Sequence, residues 1–146
     1  MPLAELNIAV PTVPLNDPRI ADFMNNLDRI NRLAHRMPGF IWMHRDEAIG
    51  HAMFRQTPWP GAVANMSVWE NAEALKHFVW NTVHKTFYDR KAEWFEALES
   101  HHLVMWTVPE GHRPTLAEAK ERLDHLDTHG NSDTAFGWSH LPHIKL

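Results

Sequence analysis

The stretch from Trp69 to Phe95 gathers the side chains best suited to chemistry. From Thr82 onward, His84, Phe87, Tyr88, Lys91, Trp94, Phe95 and Leu98 recur at i, i+3, i+4, i+7, i+10, i+11 and i+14. That spacing predicts one face of an α-helix running to Leu98. The face is aromatic, yet it carries an imidazole at one end and an amine in the middle. A buried polar group needs a partner or it costs free energy, so a helix that only filled space would be better served by Leu and Ala. The pattern points to a helix roofing a pocket. An imidazole there titrates near neutrality without much tuning and can act as a general base.

Other residues carry weaker signals. Asn7 lies on an otherwise apolar strand; facing inward it demands a partner, facing outward it is simply solvated. His84 reads equally as a base or ligand and as a core-edge histidine bonded to a backbone carbonyl. Trp69, Trp94 and Trp106 suit core or interface packing, since such rings bury large areas. Trp42, beside His44 and Arg45, divides evenly between wall and core. Trp80 and Tyr88 complete the aromatic set expected to line the pocket with Trp42, Trp69 and Phe87. His77 should face solvent, Lys91 should snorkel past Phe87 and Phe95, and His112 should support the loop before Thr115. His140 and His143 form a pair lacking the further ligands a tight metal site wants. No Ser-His-Asp grouping, glycine-rich phosphate loop or H-E-x-x-H motif occurs.

Several elements must position these residues. Residues 3–10 alternate Leu3, Glu5, Asn7, Ala9 against Ala4, Leu6, Ile8, Val10, a half-buried strand by its period of two. Asn16 or Asp17 should cap a helix with Pro18 in its first turn and a stripe of Ile20, Phe23, Met24, Leu27, Ile30 and Leu33. Pro38-Gly39 ends it. Residues 40–45 read as a strand, 52–55 as a weaker one, 62–69 as a third and 103–108 as a fourth. Residues 57–61 form a loop. The third strand leads into a helix carrying His77 and Trp80, broken near Thr82. Thr115 and Glu118 form a capping box for a last helix, with Leu116, Ala119, Leu123 and Leu126 on one side and His129-Gly130 at its end. Residues 131–146 show no period and should cross the surface or a partner subunit.

The order β-α-β-β-α-β predicts an α+β, ferredoxin-like antiparallel sheet in one domain spanning 1–146, with helices on one face and an extra C-terminal helix. The uncovered face should pair with a second copy, making a homodimer. With 44% hydrophobic and 22% charged residues the chain is globular. The absence of cysteine excludes disulfides and thiolate chemistry. A formal charge of −4 gives nothing to attract nucleic acid or an anionic membrane. The first ten residues lack the pattern of a signal peptide, so a cytoplasmic location is expected. Seven Trp and twelve His suit aromatic, hydrogen-bonding pocket walls.

The strand end from Asn65 to Glu70, followed by Glu73, Leu75, His77 and His84, resembles the antibiotic-biosynthesis-monooxygenase group of dimeric α/β-barrel proteins. Leu6 to Ala9, Pro38 to Trp42, Glu93 to Phe95, Trp106 to Thr115 and Ala117 to Leu123 resemble more closely a bacterial branch known only as a domain of unknown function. His129-Gly130 and Ala135-Phe136 match it too, and the resemblance spans roughly residues 3–137. It implies the dimeric α/β-barrel fold and a monooxygenase-like oxidoreductase acting on a small aromatic or apolar molecule. Asn7, Trp69 and His84 are the counterparts of side chains that help deprotonate such substrates. Haem-degrading members share Asn7, but Tyr88 falls roughly where their histidine stands. His84 could still bind haem iron as an axial ligand. The sequence leaves the cofactor open among none, haem and flavin, and sets against turnover a dimer that only binds a haem or apolar ligand.

Overall fold

The structure, a computed structural model, describes residues 1–44, 58–98 and 101–141. Four strands form one sheet: β1 (Leu3–Ala9), β2 (Phe40–Met43), β3 (Val63–Trp69) and β4 (Leu103–Thr107). Their order is β2-β3-β1-β4, antiparallel throughout, as the split β-α-β reading requires. The expected strand at 52–55 lies outside the described residues, as does Arg45 of the strand expected at 40–45.

Helix α1 (Ala21–Arg36) follows a short 3-10 turn at Pro18–Ile20, where the Asp17 side chain accepts from the Arg19 amide and caps the entry. It stops ahead of Gly39, whose φ of +88° makes the turn into β2. A Cβ there would sit 2.5 Å from the Cβ of Ala74, so the position also depends on the missing side chain. Helix α2 (Ala72–Asn81) starts at an Asn71 cap. Helix α3 (Val83–Asp89) starts at Thr82, whose hydroxyl donates to the Phe78 carbonyl and accepts from the His84 amide. One side chain thus closes one helix and opens the next.

The helix expected to reach Leu98 ends nine residues sooner. Asp89 is the last residue of α3, a 3-10 turn occupies Lys91–Glu93, and Phe95 makes an isolated bridge with Pro11. The Arg90 side chain is held by Asp22 and Glu93 and its guanidinium lies 4.6 Å from the Trp94 ring centre. Tertiary contacts override the helical spacing beyond this point, while keeping Phe87 and Trp94 stacked at 6.0 Å.

Helices α1 to α3 lie on one sheet face, over Leu3, Trp69 and Met105. The extra helix α4 (Leu116–His129) lies on the other, with Ala119, Leu123 and Leu126 against Leu6, Met66 and Trp106. The Thr115 hydroxyl accepts from the Glu118 amide at its start, and Gly130 ends it with φ +73°. Glu118 also accepts from the Trp106 indole at 2.8 Å and meets His112 Nε2 at 2.7 Å, joining helix to sheet. Ala4, Leu6 and Met66 are fully inaccessible within the single chain. Two sheets therefore cannot pair face to face here without displacing α4. It also follows that β1 is buried on both faces, where its alternation suggested one.

Among its described residues, 131–141, the tail is not confined to the surface. Residues 135 and 136 are buried, and Phe136 exchanges two backbone hydrogen bonds with Met105 at the β4 edge. No helix among the described residues is long and apolar enough to cross a membrane.

Candidate active site

A cavity of about 360 Å³ lies between the sheet and helices α1 to α3. Its floor is built from alternate residues of β1 and β3. Glu5 and Ser67 are direct partners in the antiparallel ladder, and so are Asn7 and Asn65, so all four project to the same side. Above them stand Phe23 and Leu27 of α1, Phe78 of α2, and His84, Phe87 and Tyr88 on or beside α3.

Glu5 is the chemically unusual member. It is only 4% exposed, yet lines the cavity. Asn7 Nδ2 donates to its Oε1 at 2.5 Å and the Ser67 hydroxyl donates to Oε2 at 3.0 Å. Ser67 Oγ in turn accepts from the Trp69 indole at 2.9 Å. Burial pushes the Glu5 carboxyl up to about 7, against the lowering effect of the Asn7 and Ser67 hydrogen bonds. A carboxyl that changes charge near neutral pH inside an apolar cavity can accept and return a proton.

His84 sits across the cavity. Its ring packs against Phe78 at 4.9 Å, and burial holds the imidazole below its usual range, opposed by the Val79 hydrogen bond. Nδ1 lies 3.2 Å from the Val79 carbonyl, which can only accept. Nδ1 therefore carries a proton, and the neutral form that burial favours has its lone pair on Nε2. His84 thus bonds a backbone carbonyl and also faces the cavity.

Of the residues expected to line a pocket, the structure gathers Asn7, His84, Phe87 and Tyr88 around this one. Trp42 does not join them: it shares a face with Val68 and packs into the core beneath α4. The bulge between Phe40 and Trp42, invisible in the sequence, sets that direction. Trp80 turns away from the cavity against Tyr88, at 4.8 Å, instead of lining it. Trp69 is fully buried between Phe40 and Phe78 and reaches the site through the Phe78 ring and Ser67, without lining it. His77 is exposed and pairs with Asn81. His140 meets Asp133, and its expected companion His143 lies outside the described residues. No group of three metal-ligating side chains occurs among the described residues.

Glu5, Ser67, Asn31, His102 and Trp138 are among the lining residues that sequence reasoning missed. A signal existed for the first: glutamate is disfavoured within strands, and here it stands among Leu, Ala and Ile. Trp138 arrives through the Met105–Phe136 bridge, which no local pattern announces.

The antiparallel sheet and its helices define a ferredoxin-like α+β fold. The chain belongs to a family described as a domain of unknown function (DUF3291), whose model matches residues 2–145. Its structure is similar to that of a conserved protein from Methanosarcina mazei Go1, with 10% identity and TM-score 0.54 over 75% of this chain and 94% of that one. It is also similar to SnoaB, a cofactor-independent oxygenase from Streptomyces nogalater, with 15% identity and TM-score 0.51 over 80% and 98%. A candidate antibiotic biosynthesis monooxygenase from Nitrosomonas europaea gives 12% identity and TM-score 0.52 over 75% and 92%. At such identities the likeness concerns the fold. No curated protein matches the sequence.

Proposed function

We propose that this protein is a monooxygenase-like oxidoreductase that deprotonates an electron-rich aromatic molecule for reaction with dioxygen. The observation that carries the reading is Glu5: a buried carboxyl, poised near neutrality, at the floor of an aromatic cavity. Likeness of fold to an oxygenase that uses no cofactor is consistent with it.

In this scheme Glu5, as carboxylate, takes a proton from an activated ring methylene. Asn7 and Ser67 fix the carboxylate oxygens, so little reorganisation accompanies the transfer. The substrate anion passes one electron to dioxygen, and the radical pair combines to a peroxide. Loss of water from it leaves a carbonyl, so CH₂ and O₂ become C=O and H₂O. Neutral His84 can accept a hydrogen bond at Nε2 from a substrate hydroxyl. Asn31 Nδ2 is a buried donor with no partner among the described residues, on the cavity wall, which suits a ligand bearing oxygen.

Haem suits this lining less well. His84 could offer Nε2 to iron, but the volume lies near the lower end of the range for small-molecule sites, about 300–1,000 Å³. A compact aromatic molecule fits the space better than a porphyrin.

The test uses dihydroxyanthrone as probe, with oxygen uptake and quinone absorbance followed together. The wild-type protein should exceed the buffer rate, and Glu5→Gln should lose about 100-fold or more, as expected for removal of a general base. Equal rates for wild type and Glu5→Gln would remove the carboxyl from the chemistry.

A further inference from the structure

The cavity lining divides sharply by exposure. Its only exposed members among the described residues are Lys91, His101 and His102, and all three are bases. The wall just inside is apolar, with Phe23, Phe87 and Phe95 half-buried. A chain with formal charge −4 thus opens its cavity through a rim of basic side chains.

The position of this rim relative to the floor is fixed by β1. The His102 carbonyl accepts from the Ile8 amide at 2.8 Å, three residues along the strand from Glu5. At about 3.3 Å per residue, the rim lies roughly 10 Å from the carboxyl. Lys91 comes from the other side, its Nζ 4.0 Å from the Tyr88 ring centre. His101 Nδ1 is engaged by Asp127 at 2.8 Å, while no carboxylate among the described residues pairs with Lys91 or His102.

We infer that the cavity selects aromatic acids: molecules with a ring body against the phenylalanines and an oxyanion group held at the rim by Lys91 and His102. The inference extends the oxygenase reading by naming the substrate class, and it stands on the same cavity. A neutral aromatic would gain nothing from the basic rim. An acid would gain charge-assisted hydrogen bonds at one end, with its opposite end delivered to Glu5. The oxyanion cannot be placed the other way round, because it would then face the Glu5 carboxylate. Burial, followed by the charges of Lys91 and His101, holds the His102 imidazole below its usual range, so the positive charge that meets the oxyanion is that of Lys91, with His102 supplying a ring N–H.

The test is binding, independent of turnover. Two fluorescent probes share the same ring systems: anilinonaphthalene sulfonate, which carries the anionic group, and phenylnaphthylamine, which lacks it. The sulfonate should displace phenylnaphthylamine one for one. In a Lys91→Gln/His102→Gln variant its affinity should fall about tenfold or more, while phenylnaphthylamine affinity stays unchanged. Equal weakening of both probes, no weakening, or sulfonate binding without displacement would overturn the inference. Neither probe carries an activated ring methylene, so neither measurement draws on the oxygenase chemistry. Loss of the oxygenase reading would therefore appear in turnover alone, and loss of this one in probe selectivity alone.

Discussion

Ser67 on β3 stands directly opposite Glu5 on β1 in the antiparallel ladder and donates its hydroxyl to Glu5 Oε2 at 3.0 Å. The Trp69 indole donates to the same hydroxyl oxygen, so a fully buried tryptophan orients the serine proton toward the carboxylate. Ser67→Ala should therefore act on Glu5 directly. Losing the donor removes an influence that lowers the Glu5 carboxyl, so its titration moves upward. The acid limb of the pH–activity profile, or a carboxyl carbon NMR titration of Glu5, should move with it. The indole left without an acceptor should also cost about 1–3 kcal/mol of stability.

Glu5 also makes stability depend on pH. Its carboxyl is raised from 4.5 to about 7 in the folded protein. Below about 4.5 it is protonated in both states and has no effect. As pH rises toward 7 the unfolded chain ionises first, so stability falls across this window and levels off above it. The shift corresponds to a loss on the order of 3 kcal/mol. Glu5→Gln should be more stable than wild type at pH 8 and equal to it at pH 4, by thermal melts. A variant less stable at pH 8 would show that the carboxylate is better accommodated than its burial indicates.

His84 acts in the opposite direction. Burial lowers its imidazole in the fold, so stability is intact above the unfolded value near 6.5 and falls as pH drops toward the folded one. His84→Ala removes this acid-side loss. It also removes a ring that packs against Phe78. Turnover of the anthrone probe should drop at least tenfold while the far-ultraviolet circular dichroism stays unchanged. Undiminished turnover would leave His84 with a packing role only.

Gly39 tests the link between α1 and the sheet. Its φ of +88° and the 2.5 Å approach that a Cβ would make to Ala74 both reject a side chain. Gly39→Ala should destabilise the protein by about 2 kcal/mol or more. An unchanged denaturation midpoint would mean that the turn relaxes freely.

Leu123 tests the second face of the sheet. It is 2% exposed in the core beneath α4. Leu123→Ala should cost about 2–5 kcal/mol. Exposure of a face bearing Leu6 and Met66 should also promote self-association by light scattering. A cost below 1 kcal/mol would mean that α4 rests only loosely on the sheet.

Local pattern alone determined a good deal of this protein. Strand alternation, the Asp17 and Thr115 caps and the glycine stops at 39 and 130 depend on neighbours in the chain, so the α+β order was legible, as was a helix beginning near Thr82. Phe87, Tyr88 and His84 shared a face because three- and four-residue spacing survives in α3. The end of that helix was not legible, because the contacts of Arg90 with Asp22 and Trp94 are made across the fold. The directions of Trp42 and Trp80 depended on a bulge and on packing between helices. The central residue of the site depended on topology. Glu5 reads as the polar side of a half-buried strand until α4 covers one face and α1 to α3 the other. Only the pairing of β1 with β3 then brings Ser67 to its carboxyl. Burial, and with it the proton affinity of that carboxyl, is a property of what surrounds a residue in space, and spacing along a chain does not encode it.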